Sequence, residues 1–369
     1  MNYKIGDLVE LESEVNDKLI YGLEDIVGVT ITKQMIPTIA NLKETSLEKF
    51  YIVKPKSFIY NPRTHGKKIG LGYNKSSRNY IATWNNNVFK IKSSMKNIIN
   101  SDYLYMYFNR DIWDKEACFH SWGSSTVVLS WESFCEMPIN LPDIKEQEKI
   151  VNQYNIINER IEILSNINIQ LEKIAFDYYT YTISENTCRK IKLNQIGEIV
   201  TGKTPSKAIE EYYDSNDIPF IKTPDMHENI YVTSYESYIS KKGADSQKNK
   251  YLQANTVIMS CIGSAGEIAL TSELSQTNQQ INAVISKYPY YLYFALKKEK
   301  NNILVLGDGS TTMVNINKTD FGNYEIDIVN DNCLEEINSK LELIFNEIRR
   351  NTLEKRKLIQ INKCLIIDL

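Results

Sequence analysis

Apolar residues recur at three- and four-residue steps in two long segments of the chain. The first set is Ile150, Tyr154, Ile157, Ile161, Leu164 and Leu171, with Asn168 in line with them. The second set is Ile337, Leu341, Ile344, Ile348 and Leu358, with Asn351 in line. A mean step of about 3.5 residues is typical of a coiled-coil seam, in which a polar residue fixes register and partner. We predict two long helices that pair antiparallel; alternatively, each packs only on its own domain.

Both helix starts carry a capping signal. Asp143 follows Pro142 and precedes Glu146 by three residues, which is the pattern of a capping box. Asn332 and Glu335 give the same spacing before the second segment. The sequence therefore predicts helices that begin at about these positions.

The segments before the two helices combine short strand-like and helical patterns. Residues 49–56 and 87–92 are rich in β-formers and are broken by Gly, Asn and Pro, whereas residues 101–115 have a helical pattern. These features indicate a mixed α/β (α+β) class for each segment.

The chain contains an internal repeat of about half its length. Four patterns recur in the same order, namely Ile5–Val9 with Ile196–Val200, Phe58–Tyr60 with Val257–Met259, Ile69-Gly70 with Ile268-Ala269, and Gly123–Thr126 with Gly309–Thr312. A repeat of this size is a whole domain with its helix. We predict domains at 1–142 and 185–330, helical spacers at 143–184 and 331–369, and a pseudo-twofold arrangement.

The distribution of charge changes the picture more than its total. The net charge is −3, yet residues 50–101 contain no Asp or Glu. The same stretch carries ten basic residues: Lys54, Lys56, Arg63, Lys67, Lys68, Lys75, Arg78, Lys90, Lys92 and Lys96. A local basic field of this kind is typical of phosphate binding. The alternative is a solvated basic face.

Several other classes of protein find no support. No apolar run has the length of a membrane span and the N-terminus has no signal-peptide core, so we expect a cytoplasmic protein without a membrane partner. Six scattered cysteines without a CxxC pair, and three histidines, argue against zinc. We expect no metal site, no catalytic residue and cysteines that are buried as small apolar residues.

The candidate DNA-binding residues combine hydrogen-bonding side chains with lysines. In the first domain we expect Asn61, Arg63, Thr64, His65, Lys67 and Lys68 in a loop, with Lys54, Lys56, Lys75 and Arg78 nearby and Tyr60, Tyr73, Tyr80 and Trp84 interleaved. In the second domain the candidates are Lys203, Lys222, Lys241, Lys242, Lys248 and Lys250, with Asn278, Gln279 and Gln280 as adenine readers. The alternative roles are core packing for the aromatic residues and structural hydrogen bonds for the polar ones.

One motif points to a different function. Residues Gly197–Thr204 fit the phosphate-loop pattern GxxxxGK[ST]. Such a loop requires a helix to begin at the lysine, and Pro205 disfavours helical geometry at Thr204. An ATP-binding enzyme is therefore a minor alternative, and a coiled-coil scaffold without nucleic acid is another.

Three further motifs resemble those of the specificity subunits of type I restriction–modification systems. They are Leu141-Pro142 followed by Glu146–Val151, Gly202–Ser206 with Ile218–Ile221, and Gly263 and Gly266 followed by Thr277–Ile281. The resemblance covers essentially the whole chain. It implies two target-recognition domains and two helices that form an antiparallel coiled coil.

The resemblance also implies a function. A subunit of this family binds a split, asymmetric sequence in double-stranded DNA and docks two methyltransferase subunits and then restriction subunits. S-adenosylmethionine, ATP and magnesium would be bound by those partners, and no cofactor by this chain. A specificity subunit that serves a methyltransferase alone has the same sequence features.

Overall fold

The computed structural model describes residues 1–38, 45–65, 67–122, 127–307, 314–367 and 369, without the side chain of His65. The repeated segments 123–126 and 309–312 lie outside the described residues. By the density of its internal contacts the chain divides into two units, residues 1–159 with 360–369 and residues 160–359.

The first unit is a mixed fold around a four-stranded antiparallel sheet. Its elements are β1 (Asn2–Lys4), α1 (Ile5–Leu8), β2 (Val9–Leu11), β3 (Val27–Val29), β4 (Met35–Pro37), β5 (Tyr51–Val53), β6 (Phe58–His65), β7 (Lys68–Tyr73), β8 (Tyr80–Ala82), β9 (Asn87–Ile91), α2 (Ser101–Phe108), α3 (Asp111–Phe119), α4 (Trp131–Glu136) and β10 (Pro138–Asn140). The main sheet has the order β2-β9-β6-β7. Phe58 pairs with Phe89 across it, and their stacked rings lie in the core with Phe108.

The helical pattern at 101–115 is interrupted. α2 ends at Phe108 and α3 begins at Asp111, so the expected single helix is two helices. Asn109 ends the first helix: its Nδ2 donates to the carbonyl of Tyr105 at 2.7 Å.

The second unit contains a five-stranded sheet and a smaller three-stranded sheet. Its elements are β11 (Arg189–Lys192), α6 (Leu193–Ile196), β12 (Glu198–Thr201), β13 (Ile218–Ile221), α7 (Thr223–Met226), β14 (Tyr231–Val232), β15 (Tyr238–Ile239), α8 (Lys241–Asp245), β16 (Val257–Ser260), β17 (Ile268–Thr271), β18 (Gln276–Thr277), β19 (Ile281–Ile285), α9 (Pro289–Val305), α10 (Lys318–Asn323) and β20 (Glu325–Ile328). The sheets have the orders β12-β19-β16-β17-β14 and β15-β13-β18.

The two units share one topology. In each, the strand after the first short helix pairs with the last sheet strand, and a central hairpin follows: β2-β9-β6-β7 matches β12-β19-β16-β17. The register matches as well, because Phe58 faces Phe89 and Val257 faces Val284. The strand pairs β1–β10 and β11–β20 are also equivalent. The predicted internal duplication and mixed α/β class are confirmed.

Two long helices complete the chain: α5 (Ile144–Glu185) and α11 (Asp331–Ile367). The first is capped by Asp143, whose Oδ1 accepts from the Glu146 amide at 3.0 Å. In the part of the chain that the structure describes, the Glu146 carboxylate contacts Lys149 Nζ at 3.2 Å, so only half of the predicted capping box forms. The second helix begins before Asn332, because Asn330 Oδ1 accepts from the Cys333 amide at 3.0 Å.

The helices run antiparallel within the second unit. Asn168 contacts Asn351, and Arg160 Nε donates to Glu354 Oε1 at 2.9 Å. Within the first unit, Asn362 Nδ2 donates to Asn158 Oδ1 at 2.9 Å. The predicted antiparallel pairing is confirmed.

The helices also pack on the domains, so the two alternatives for the seam coexist. Of the predicted seam residues in the second unit, Leu164, Asn168, Ile337, Leu341, Ile348 and Asn351 are buried, and Ile161, Leu171, Ile344 and Leu358 are half-buried. Ile337, Leu341 and Ile348 share one core with Tyr291 and Phe294 of α9. In the first unit Ile150 and Tyr154 pack on the domain core with Ile366, and Ile157 is half-buried.

Candidate nucleic-acid interface

The candidate residues of the first domain lie on the β6–β7 hairpin. Asn61, Arg63 and Thr64 belong to β6, whereas Lys67 and Lys68 are at the turn and the start of β7. The expectation of a loop is therefore wrong. Pro62 does not end the strand because the register shifts between Tyr60 and Thr64, and a bulge tolerates a residue without an N–H.

The bulge fixes the backbone of this edge. Asn61 Oδ1 accepts from the Arg63 amide at 3.0 Å, and the Pro62 carbonyl accepts from the Leu129 amide at 2.8 Å. The Asn61 side chain thus stabilises the bulge, while the Arg63 side chain is exposed. The side chain of His65 lies outside the described residues.

Carboxylates from other parts of the chain lie beside several basic residues of the stretch 50–101. Lys54 contacts Glu14 at 2.5 Å, Lys68 contacts Asp111 at 3.2 Å, and Arg78 contacts Asp25 at 2.9 Å. The cause is tertiary packing, since the acids come from segments that are distant in sequence but adjacent in the fold. Part of the predicted positive field is therefore neutralised.

Other basic residues of the stretch have no carboxylate partner among the residues that the structure describes. These are Arg63, Lys56, Lys67, Lys75 and Lys96, which are exposed, and Lys92, which is half-buried. Lys75 Nζ lies 4.9 Å from the centroid of the Tyr105 ring. The uncompensated charge of this unit is thus concentrated on a subset of the predicted residues.

The interleaved aromatic residues divide into two groups. Tyr60 and Tyr73 are buried in the core, and burial raises the pKa of both phenols. Tyr80 is half-buried beneath Arg78, and Trp84 is 57% exposed with its ring edge on Phe50. Core packing is the role of the first two.

In the second unit three lysines from separate segments influence one another electrostatically. Burial lowers the pKa of Lys250, the charges of Lys318 and Lys203 lower it further, and Glu198 opposes the shift. The amide of Lys203 donates to the Thr277 carbonyl at 3.0 Å, which places this residue beside β18. The Lys203 side chain is exposed. Like charges held together stabilise a bound polyanion. The sequence-based list omitted Lys318, since only the fold places the start of α10 beside Lys250.

The other candidate lysines of this unit are not equivalent. Lys242 forms an ion pair with Glu211, and Lys222 Nζ donates to Ser237 Oγ. Lys241 and Lys248 are exposed. The pairing with Glu211 leaves Lys242 with little net charge to offer a phosphate.

The polar residues at 278–280 form a turn next to Lys203. Asn278 Nδ2 donates to Gln280 Oε1 at 2.9 Å, so these two amides partly satisfy each other. Gln279 is exposed, and its Oε1 accepts from Thr204 Oγ1 at 2.8 Å. The buried Gln247 also fixes the backbone at Lys203, because its Nε2 donates to the Lys203 carbonyl at 2.6 Å.

The phosphate-loop motif does not form a phosphate loop. Its central residues are strand β12, and no helix begins at Lys203 or Thr204 in the described residues 197–209. The strand is set by pairing with β19. Amides cannot converge on a phosphate from an extended strand, so the motif is coincidental.

The described residues provide neither a metal site nor a membrane-spanning helix. In the described part of the chain no group of three His, Cys, Asp or Glu residues could hold a metal ion. None of the described helices has the length and apolar character that a membrane crossing requires. The expectation of buried cysteines is correct only for Cys261; Cys364 is exposed and the other four are half-buried.

Comparison with known proteins identifies the family. The model of the type I restriction modification DNA specificity domain matches the chain twice, at residues 1–173 and 185–363. The chain therefore belongs to this family, and each match covers one copy of the duplicated unit.

Two relatives and one solved structure are similar to the chain. It is 35% identical over 179 residues to the Type I restriction enzyme HindI specificity subunit of Haemophilus influenzae, over 47% of this chain and 39% of the relative. It is 25% identical over 287 residues to the EcoR124I/EcoR124II specificity subunit of Escherichia coli, over 66% of this chain and 70% of the relative. A type I restriction-modification S subunit from M. genitalium has the same fold, with a TM-score of 0.58 at 14% identity, covering 100% of this chain and 95% of that one.

Proposed function

We propose that this chain is the DNA sequence-recognition subunit of a type I restriction–modification complex. The observation that carries the proposal is the duplicated topology with different side chains at equivalent places. The β6–β7 hairpin carries the exposed cations Arg63 and Lys67, whereas the equivalent β16–β17 hairpin carries Glu267 and no lysine or arginine. Two readers with one fold and different surfaces suit a DNA target whose two halves differ.

The exposed charges support phosphate binding by each unit. Arg63 and Lys67 serve the first unit, and Lys203 and Lys318, whose charges act on the half-buried Lys250, serve the second. Lysine and arginine contacts to phosphate position a protein on DNA, and exposed polar groups such as Gln279 then read base edges. This division of roles separates affinity from specificity.

The long helix α5 offers a surface for a methyltransferase subunit. Ile163, Ile167, Ile174 and Tyr181 follow at intervals of four, seven and seven residues and are all exposed, at 40–64% of their surface. This spacing gives a second apolar stripe, distinct from the seam at Leu164 and Asn168. A helix from a methyltransferase subunit would bury the stripe, and restriction subunits would join that assembly.

We assign no reaction to this chain itself. Methyl transfer would use S-adenosylmethionine on the methyltransferase, and DNA translocation and cleavage would use ATP and magnesium on the restriction subunit. The site of action would be the cytoplasm. A complex that contains only methyltransferase partners would use the same two recognition units.

Selection from a random pool of duplexes tests the proposal. The full chain, purified with its methyltransferase, should retain DNA that shares two short conserved blocks separated by a spacer of fixed length. Binding should weaken steeply with salt. Retention of DNA with no shared sequence, or of no DNA at all, would contradict the proposal.

A further inference from the structure

Two large aromatic side chains of the first unit are left in water. Phe119 at the end of α3 is 83% exposed, and Trp122 is 78% exposed. A single exposed apolar residue is ordinary, but two large aromatic side chains that are this exposed and only three residues apart in sequence indicate a binding surface. The few residues that dominate binding energy at interfaces are enriched in Trp, Tyr and Arg. The exposure of Phe119 and Trp122 therefore indicates a binding site.

The backbone of Trp122 forms two hydrogen bonds with that of Val128. Its amide donates to the Val128 carbonyl at 3.0 Å, and the Val128 amide donates back at 2.9 Å. Val128 also forms a bridge to Arg63, so it joins Trp122 to strand β6. The ring is thus presented from an ordered sheet edge beside the candidate residues of the hairpin.

The helix that carries Phe119 is anchored to the same hairpin. The buried Asp114 carboxylate accepts from the Ile69 amide at 3.1 Å and from Lys33 Nζ at 2.6 Å. At the surface, Lys68 Nζ contacts Asp111 Oδ1 at 3.2 Å. These contacts hold α3 against β7, so Phe119 is carried by a helix that packs on the hairpin to which Val128 joins Trp122.

Two exposed cations lie near the segments that carry the rings. Arg63 and Trp122 each form a backbone bridge with Val128, and Lys67 lies in the turn before β7, the strand that α3 contacts through Asp114. Burial raises the pKa of the thiol of Cys118, the residue before Phe119, and the charge of Lys67 opposes that rise. We call Phe119, Trp122, Arg63 and Lys67 the aromatic–basic surface.

We infer that the aromatic–basic surface binds duplex DNA by placing the Phe119 and Trp122 rings together against one base step, with Arg63 and Lys67 on the flanking phosphates. The inference rests on the proposed function and adds a mode of contact to it. Wedge side chains of this type partly unstack a step and kink the duplex. A protein ligand would instead have to supply carboxylates to both cations, whereas DNA provides the phosphates and the π-faces together.

Fluorescence of a base analogue tests the inference. 2-Aminopurine is placed at successive positions of the selected duplex, and its emission rises when the base unstacks. The full chain with its methyltransferase should raise the emission at one step. Trp122→Ala or Phe119→Ala should abolish that rise and weaken binding about 5- to 150-fold, as expected from base–aromatic stacking. Trp122→Phe should restore most of both.

Two controls separate stacking from charge and from folding. Ile20→Ala removes an exposed apolar side chain of the same unit that is no candidate for DNA contact, and it should leave the emission and the affinity unchanged. Trp122→Ala should keep the salt dependence of binding, whereas Arg63→Ala should lower the slope of log K against log salt by about 0.9.

The outcomes distinguish this inference from the proposed function. If the parent complex binds no DNA, both are wrong. If the parent binds but Trp122→Ala and Phe119→Ala match it in affinity and emission, the inference alone is wrong. If these variants lose assembly with the methyltransferase and keep DNA affinity, the surface is a protein interface and the inference is likewise overturned.

Discussion

Asn351 Nδ2 donates a hydrogen bond to Asn168 Oδ1 at 3.0 Å, and both amides are buried between the long helices. Asn168 Nδ2 in turn donates to Thr352 Oγ1 at 3.2 Å. Because the pair satisfies its own polar groups, it is compatible with an apolar seam only in this register. The two asparagines therefore specify how the helices align.

Breaking this pair should destabilise the second unit. Asn351→Leu leaves the Asn168 carbonyl oxygen without its donor, which costs about 1–3 kcal/mol in the free energy of unfolding. Urea unfolding measures the change. Asn346→Leu, at an exposed position of the same helix, should stay within about 0.5 kcal/mol of the parent. Equal effects of the two substitutions would refute the role of the pair.

Gly202 is required where its backbone approaches β18. A Cβ at this position would lie 2.1 Å from the Asn278 carbonyl oxygen and 2.4 Å from that of Thr277. Gly202→Ala should therefore cost about 1–3 kcal/mol and displace Lys203. Gly28→Ala is the matched control, since no atom lies within 4 Å of a Cβ there. Thermal unfolding that is unchanged in Gly202→Ala would contradict this explanation.

The lysines of the second unit should differ in their effect on DNA binding. Lys318→Ala and Lys203→Ala each remove a charge from the cluster around Lys250, so each should lower the salt slope of binding by about 0.9. Lys242→Ala should change it little, because Glu211 already neutralises that charge. Binding titrations at several salt concentrations measure the slopes. A larger loss for Lys242→Ala than for Lys318→Ala would reverse the assignment.

A cross-strand ion pair predicts acid sensitivity. Lys190 faces Asp327 in the β11–β20 pair with Nζ 2.9 Å from Oδ1, and this contact lowers the pKa of Asp327 below its ordinary value of 3.8. Between the lowered pKa of Asp327 in the folded chain and its ordinary value of 3.8, the unfolded chain binds more protons than the folded chain. The stabilisation that the ion pair contributes is therefore fully present above pH 3.8 and is lost as the pH falls through this window.

The variant Asp327→Asn tests this sign. It should lose no more than about 1 kcal/mol at neutral pH, because such pairs are partly solvated. Its unfolding free energy should also fall less steeply than that of the parent below pH 3.8. An identical pH profile for parent and variant would show that the ion pair does not contribute.

The duplication and the long helices were predictable because they depend on local periodicity and on the order of motifs. The seam asparagines belong to this group, since Asn168 and Asn351 stand at fixed steps among apolar residues. The start of α11 was misplaced by two residues because Asn330 and Asn332 are both suitable caps, and only the backbone geometry selects between them.

The electrostatics of the candidate interface could not be predicted in the same way. The pairing of Lys54 with Glu14 depends on strand register, and the proximity of Lys318 to Lys250 depends on tertiary packing. The loop expected around Pro62 is a bulged strand for the same reason. Local composition identified basic residues, but only the fold shows which of them remain uncompensated.

A map of adenine methylation tests the central claim most directly. The chain is co-expressed with its methyltransferase, and modified adenines are located throughout the host DNA. We predict a split motif with two different halves at a fixed spacing, present only when this chain is expressed. If the assembled complex produced no methylation that depends on this chain, or methylation at an unsplit motif, the account of two DNA-reading units would be contradicted.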